Sequence, residues 1–168
     1  MRVFKDKNLM EKIFGELWSK MINETEFGPK IKKDGIAILF IVTDPDVLMF
    51  MDGDGPVFGA DAEKKVPMVT MKMSGDTVHK FWLKHLKVPK AMALGQIKAK
   101  GHVGKILKLL PMLEPGQALY PGYCEKYNLP TAYNERRTSM DYFNINENLS
   151  KRDKTIDTAP NTRRHLST

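Results

Sequence analysis

The residues able to do chemistry are few, and their spacing argues against it. The histidines are His79, His85, His102 and His165. None forms a metal pair at i, i+4, and the only thiol, Cys124, is distant from them in sequence, so no zinc site is expected. Asp52-x-Asp54 with Glu63 imitates the two ends of a calcium loop. Inside it, Pro56 takes a ligand position and Val57 the place of the bending glycine, which leaves a turn between strands. Gly53-x-Gly55 followed by Gly59 misses the dinucleotide-binding spacing and has no helix signal after it. There is no phosphate loop or nucleophile elbow, and Asp44 and Asp46 sit in a turn where solvation explains them. No catalytic constellation, metal or cofactor is therefore expected.

What the sequence does hold is methionine and lysine. Eleven of 168 residues are methionine. The side chain is unbranched and polarizable, and it adapts to irregular or changing apolar surfaces. Met49, Met51, Met68, Met71 and Met73 fall on expected strands and Met92 on a short helix, which suits either core filling or a cavity for flexible apolar guests. The lysines are unevenly placed. Basic and acidic residues number 27 and 20, a net charge of +7. Between Thr77 and Leu113 no Asp or Glu occurs, while Lys80, Lys84, Lys87, Lys90, Lys98, Lys100, Lys105 and Lys108 do. Such a stretch is either a solvated face or a surface that meets phosphates or carboxylates. Phe81 and Trp82 are its only aromatics and fall on the expected apolar helix face, so no nucleic-acid partner is expected.

The elements that must carry these residues are readable from periodicity. Met10, Ile13, Phe14, Leu17, Trp18 and Met21 form one helical stripe over residues 8–23, with Asn8 and Glu11 as a variant capping box and Gly28-Pro29 as the stop. Ile36–Val42 and Val47–Met51 are short apolar runs with strand character, separated by the Asp44-Pro45-Asp46 turn and followed by the turn Asp52–Gly55. A weaker strand, Pro56–Ala60, and a clear one, Val66–Met73, continue the meander. Ser74 and Asp76 cap a helix to about Leu86 whose stripe is Val78, Phe81, Trp82 and His85. Pro89 opens a short helix closed by Gly95. Ile97–Lys100 is a strand, and Val103, Ile106, Leu107 and Leu110 mark a last helix stopped by Pro111.

After Pro115-Gly116 the composition shifts. All five tyrosines lie there and apolar runs vanish. The chain thus divides into a domain, 1–113, and a C-terminal extension, 114–168, with no core of its own. Tyr120, Tyr123 and Tyr127 share one helical face, and Tyr142-Phe143 is a second aromatic site, so the extension is expected to pack on the domain or on a second subunit of a homodimer. The lone cysteine fits a reducing compartment, the first residues hold no apolar signal region, and no apolar run approaches the roughly 18 residues of a membrane span. A cytoplasmic location is expected.

Val69-Thr70-Met71-Lys72-Met73-Ser74, a helix with Val78 and Phe81, and then Pro89-Lys90-Ala91-Met92-Ala93-Leu94-Gly95-Gln96-Ile97-Lys98-Ala99-Lys100-Gly101-His102-Val103-Gly104-Lys105-Ile106-Leu107-Lys108-Leu109 follow in an order and spacing that resemble the sterol carrier protein type 2 family. The resemblance is good over about residues 35–113 and absent in the tail. It implies an α+β domain in which a five-stranded mixed sheet is covered on one face by helices that enclose an apolar tunnel; the C-terminal extension, outside the resemblance, is expected to be irregular. It further implies non-catalytic binding and transfer of a fatty acid, acyl-CoA, phospholipid or sterol-like molecule. The alternative is an accessory domain that presents a hydrophobic substrate to a separate enzyme. Some members have glutamine before the glycine that precedes the last strand; here Leu94 stands there, and Gln96 follows the glycine. Many have Asn or Asp after Lys-Gly; here His102, a weak cap, does.

The coincidence of strand methionines with two apolar helix stripes places the expected pocket among Phe50, Met71, Met73, Phe81, Trp82, Leu86, Met92, Ile106, Leu107 and Leu110, with Gln96 added as a polar candidate. Lys84, Lys87, Lys90, Lys105 and Lys108 are the candidates for an anionic head group or an anionic membrane surface.

Overall fold

The N-terminal stripe forms α1 (Lys7–Glu24), which buries all six of its apolar residues from Met10 to Met21. The computed structural model describes residues 2–132. Asp6, not Asn8, caps α1: its carboxylate accepts the Leu9 N–H at 2.9 Å, the bond an N-cap makes to the third helical residue. Gly28-Pro29 does not stop this helix either. It lies in the first turn of a further helix, α2 (Phe27–Lys33), where the N–H that proline lacks would have had no helical partner. A Cβ on residue 28 would collide with the Ile22 carbonyl, so the turn between α1 and α2 requires glycine.

Five strands form one mixed sheet: β1 (Ile38–Thr43), β2 (Val47–Asp52), β3 (Gly55–Phe58), β4 (Val69–Ser74) and β5 (Ile97–Gly101). Their order is β3-β2-β1-β4-β5. The first three are an antiparallel meander, as expected. The fourth does not extend it. A short helix the sequence did not disclose, α3 (Ala60–Glu63), turns the chain back, and β4 pairs with β1 in parallel. Register then sorts the side chains. Phe40 stands beside Met49 on one side and Met71 on the other, and Val42 beside Val47 and Met73. All of these face the helices, while Leu39, Phe50, Lys72, Lys98 and Lys100 face the other way, because side chains alternate along a strand.

Helix α4 (Gly75–Trp82) starts at Ser74, whose hydroxyl accepts the Thr77 N–H at 3.1 Å. It ends four residues before Leu86, and the chain turns at Lys84 with φ 61°. Helix α5 (Val88–Ala93) carries Pro89 in its first turn, as expected. Gly101, at φ 105° and pressed on the Met68 backbone, is the last position of β5, one that only glycine fills. Helix α6 (Val103–Leu109) follows, with His102 at its cap making no side-chain bond. Pro111 does not end the helical path. It sits in a 3-10 turn, Leu110–Leu113, that feeds α7 (Glu114–Lys126).

Helix α7 is built into the same core as the sheet and α1. Tyr120 and Cys124 are fully buried, and Tyr123 nearly so. The α7 backbone comes so close at Gly116 that a Cβ there would lie 2.8 Å from Trp82 and 2.9 Å from the Met21 sulfur. The Tyr120 ring stacks on Phe14 at 5.9 Å. Its hydroxyl lies 2.8 Å from His79 Nδ1, and His79 Nε2 lies 2.7 Å from the Pro130 carbonyl. A carbonyl only accepts, so Nε2 carries the proton and Nδ1 accepts the tyrosine O–H. One buried imidazole therefore ties α4 both to α7 and to the strand of chain beyond it. Burial also lifts the Cys124 thiol to about 11, so it stays protonated. Tyr142-Phe143 and His165 lie outside the described residues.

Burial pushes the His79 imidazole below its ordinary value of 6.5, against the pull of the Pro130 carbonyl and of Asp76, with His85 adding to the depression. Between the folded and unfolded values the unfolded chain binds the extra proton. This contribution to stability is therefore complete above pH 6.5 and is lost as the pH falls through the folded value. Denaturant midpoints at pH 7.5 and pH 5.0 check it, those two conditions being about 1 and 1.5 units either side of the reference value. The midpoint should fall on acidification, and fall less in His79→Gln. An equal fall in both proteins would assign the pH dependence to other groups.

Candidate ligand-binding cavity

The cavity lies between the helix-facing side of the sheet and the helices laid over it. Its floor is Ile38, Phe40 and Val42 of β1, Met49 and Met51 of β2, Met71 and Met73 of β4, and Ile97 of β5. These are alternate residues on each strand, as the period of two requires. Trp18 of α1 and Phe27 of α2 form one side. Val78, Phe81 and Trp82 of α4 form the roof with Val88, and Ile106, Leu109, Leu110 and Leu113 close the remaining side. Every lining side chain is hydrocarbon, thioether or indole, and none is ionisable. Phe40, Phe81 and Leu110 are half-buried, so the cavity comes nearest to solvent beside them.

The free space is about 60 Å3. It is room for about two water-sized groups, each with about a 30 Å3 share of liquid volume, and less than a long alkyl chain needs. A longer guest requires side chains to move. Four of the floor residues are methionines, with three rotatable bonds each and no branch at Cβ, and they are the ones able to do so.

Of the residues singled out from sequence, Met71, Met73, Phe81, Trp82, Ile106 and Leu110 line this cavity. Phe50 does not. It stands between Met49 and Met51 on β2 and so faces the back of the sheet, where the Lys65 ammonium lies 6.0 Å from its ring. Leu86 lies in the turn after α4, which ends earlier than its pattern implied. Met92 is half-buried on α5, whose buried residues are Val88 and Ala91. Gln96 is exposed in the turn before β5. Leu107 is half-buried, one helical step off the Ile106–Leu109 edge that meets the cavity.

Lys84, Lys87, Lys90, Lys105 and Lys108 are all exposed. Lys84 borders a surface groove with Pro111 and Met112 that shares Phe27 with the cavity. Lys105 is close enough to Asp34 to help lower its carboxyl, after the 2.8 Å bond from Lys30 that is the main cause. Lys98 and Lys100 alternate with Ile97 and Ala99 and face the back of the sheet. The acid-free stretch of sequence is thus spread over several faces of the fold. Among the described residues no cluster of His, Cys, Asp or Glu could hold a metal ion, and no helix is long and apolar enough to cross a membrane.

Trp18, Phe27, Ile38 and Phe40 also line the cavity and were not singled out; Met49 and Met51, noted among the strand methionines, line it too but were not placed in the expected pocket. The α1 stripe read as ordinary core. The β1 run is apolar at every position, so its sequence does not tell one face from the other. Only the register β1–β2 and β1–β4 assigns Met49 and Met51 to the side of Met71 and Met73.

No family model matches the sequence, and no curated protein matches it. Solved structures do. Sterol carrier protein 2 from Yarrowia lipolytica, in its apo form, superimposes with a TM-score of 0.51 at 16% identity, over 64% of this chain and 89% of that one. Sterol carrier protein domain 2 of Helicoverpa armigera gives 0.52 at 20% identity, over 66% and 89%. UbiJ-SCP2, a ubiquinone synthesis protein, gives 0.51 at 8% identity, over 66% and 93%. The chain therefore has the sterol carrier protein 2 fold, an open five-stranded mixed sheet with helices. At these identities the likeness is one of fold.

The wall assignment predicts unequal effects of two neighbouring substitutions. Leu109→Ala removes a buried wall side chain and should destabilise by about 2–5 kcal/mol. Leu107→Ala, half-buried and off the cavity, should have a clearly smaller effect. Chemical denaturation of both variants checks the order, and a larger loss in Leu107→Ala would contradict it.

Proposed function

We propose that this chain binds a hydrophobic molecule in the cavity and transfers it, without chemistry of its own. The observation that carries the reading is the wall: a space between sheet and helices, lined by apolar and aromatic side chains with no ionisable group, with four methionines in its floor. Such a space rewards desolvation of hydrocarbon and penalises a buried charge. The names of two of the fold's neighbours, sterol carrier proteins, support a lipid ligand, which we propose to be a fatty acid, acyl-CoA, phospholipid or sterol-like molecule.

Each methylene buried contributes about 0.8 kcal/mol, so a 16-carbon chain gains roughly 12 kcal/mol gross. Association costs about 4–15 kcal/mol before any net affinity is left. Moderate affinity and loose selectivity by chain length follow. Lys84, Lys87, Lys90, Lys105 and Lys108 are proposed to attract a carboxylate, a phosphate or an anionic bilayer at about 1 kcal/mol per lysine near the surface. The alternative reading is an accessory domain that presents a hydrophobic substrate to a separate enzyme. Co-purification of an enzyme with the chain separates the two.

Displacement of a fluorescent fatty acid tests the cavity. Val78→Phe and Leu109→Phe fill it and should weaken binding about tenfold or more, a loss of about 1.4 kcal/mol per factor of ten. Phe50→Leu, on the back of the sheet, should change it by less than about twofold, as a conservative substitution away from the site. If the filled variants fold and bind like the parent, the ligand does not use this cavity.

A further inference from the structure

Trp18, one of the residues lining the cavity, carries a polar atom that the fold leaves unanswered. Trp18 is 3% exposed, and its indole N–H is buried with no hydrogen-bond partner among the described residues. The ring is held on several sides by other rings of the wall. Phe27 stacks on it at 5.7 Å and Phe40 at 6.1 Å, and Trp82 makes a T-shaped contact with it at 5.1 Å. Trp18 cannot turn to seek a partner elsewhere without breaking these contacts. An apolar residue of similar shape would avoid the penalty of an unpaired buried donor.

Water is a poor answer. A buried water needs two to four polar partners, and the side chains lining this cavity offer none but indole N–H groups. A carboxylate is also a poor answer, because no cationic side chain lines the cavity and an uncompensated buried charge is strongly disfavoured. A plain hydrocarbon leaves the donor as it is. The chemistry that satisfies it is a neutral oxygen carried in by the ligand.

We propose that the cavity ligand carries a neutral carbonyl oxygen that accepts the Trp18 indole N–H, so that the site selects apolar carbonyl compounds, such as ketones and esters, over hydrocarbons of the same length. This rests on the hydrophobic-carrier reading and adds to it the class of ligand. The contact forms as the ligand opens the methionine floor, which any guest longer than the present free space must do. The charged end of a fatty acid stays outside, toward the exposed lysines, while a carbonyl within an acyl ester or ketone is admitted. Trp18 is then a specificity-determining residue, and Phe27, Phe40 and Trp82 position its ring.

The test uses the full chain and two probes of equal length, a long-chain methyl ketone and the matching alkane. Both compete against a fluorescent apolar probe, and the Trp18 indole N–H resonance is followed by NMR. The parent should prefer the ketone by about tenfold, equivalent to about 1.4 kcal/mol. The indole resonance should move downfield with the ketone and not with the alkane. In Trp18→Phe the preference should fall to near one. Equal binding of ketone and alkane by the parent would overturn the proposal and leave the carrier reading standing. A preference retained in Trp18→Phe would remove Trp18 from it. Binding of neither probe would overturn both. Should Trp18→Phe fail to fold, the resonance in the parent decides: one that does not move with the ketone refutes the contact.

Discussion

The parallel pairing of β1 with β4 is the constraint on which the rest of this structure depends. It sets Phe40 against Met71 and Val42 against Met73, and the antiparallel hairpin on the other side of β1 sets Phe40 against Met49 and Ile38 against Met51. A slip of one residue would turn a whole row to the back of the sheet and bring Leu39, Thr70 and Lys72 inward. The apolar floor therefore exists only in this register. It is held from both edges of β1, which is the central strand of the five.

The helices over the floor are fixed to one another chiefly by aromatic rings, with one largely exposed ion pair, Lys126 to Glu16 at 3.7 Å, between α7 and α1. Phe14, Trp18, Trp82 and Tyr120 lie within 5.1 to 6.2 Å of one another in successive contacts. Such pairs add about 0.5–1.5 kcal/mol each beyond area burial. The same rings form part of the cavity wall through Trp18 and Trp82. The roof is consequently stiff where the tryptophans are and soft in the floor, where the methionines are. That division suits a site that holds one end of a guest firmly and adapts to its length.

Much of the fold was legible in the sequence because its elements keep their periods. The α1 stripe, the strands around Ile38–Thr43 and Val69–Ser74 and the Ser74 cap all follow from local rules. What was not legible depends on pairing at a distance. Helix α3 is only Ala60–Glu63, too short to show a period, yet it decides that β4 joins β1. Phe50 and Met49 are adjacent in an unbroken apolar run, so the sequence alone favours neither for the cavity. Leu107 and Leu109 present the same ambiguity on α6. Pro111 read as a stop, although it lies in the first turn of a new helical segment, where a proline is accepted. Tyr120, Tyr123 and Tyr127 were legible as one face, and their burial against α1 and α4 was not, since the partners are some 40 to 110 residues away.

The central claim is that a hydrophobic guest occupies the space over the methionine floor. Methionine methyl NMR tests it most directly, because the eleven methionines report on the cavity and on the rest of the chain at once. On titration with a long-chain lipid, the methyl signals of Met49, Met51, Met71 and Met73 should shift together and saturate, while that of Met112, on the 3-10 turn outside the cavity, moves less. Saturable binding that leaves those four signals in place would contradict the account.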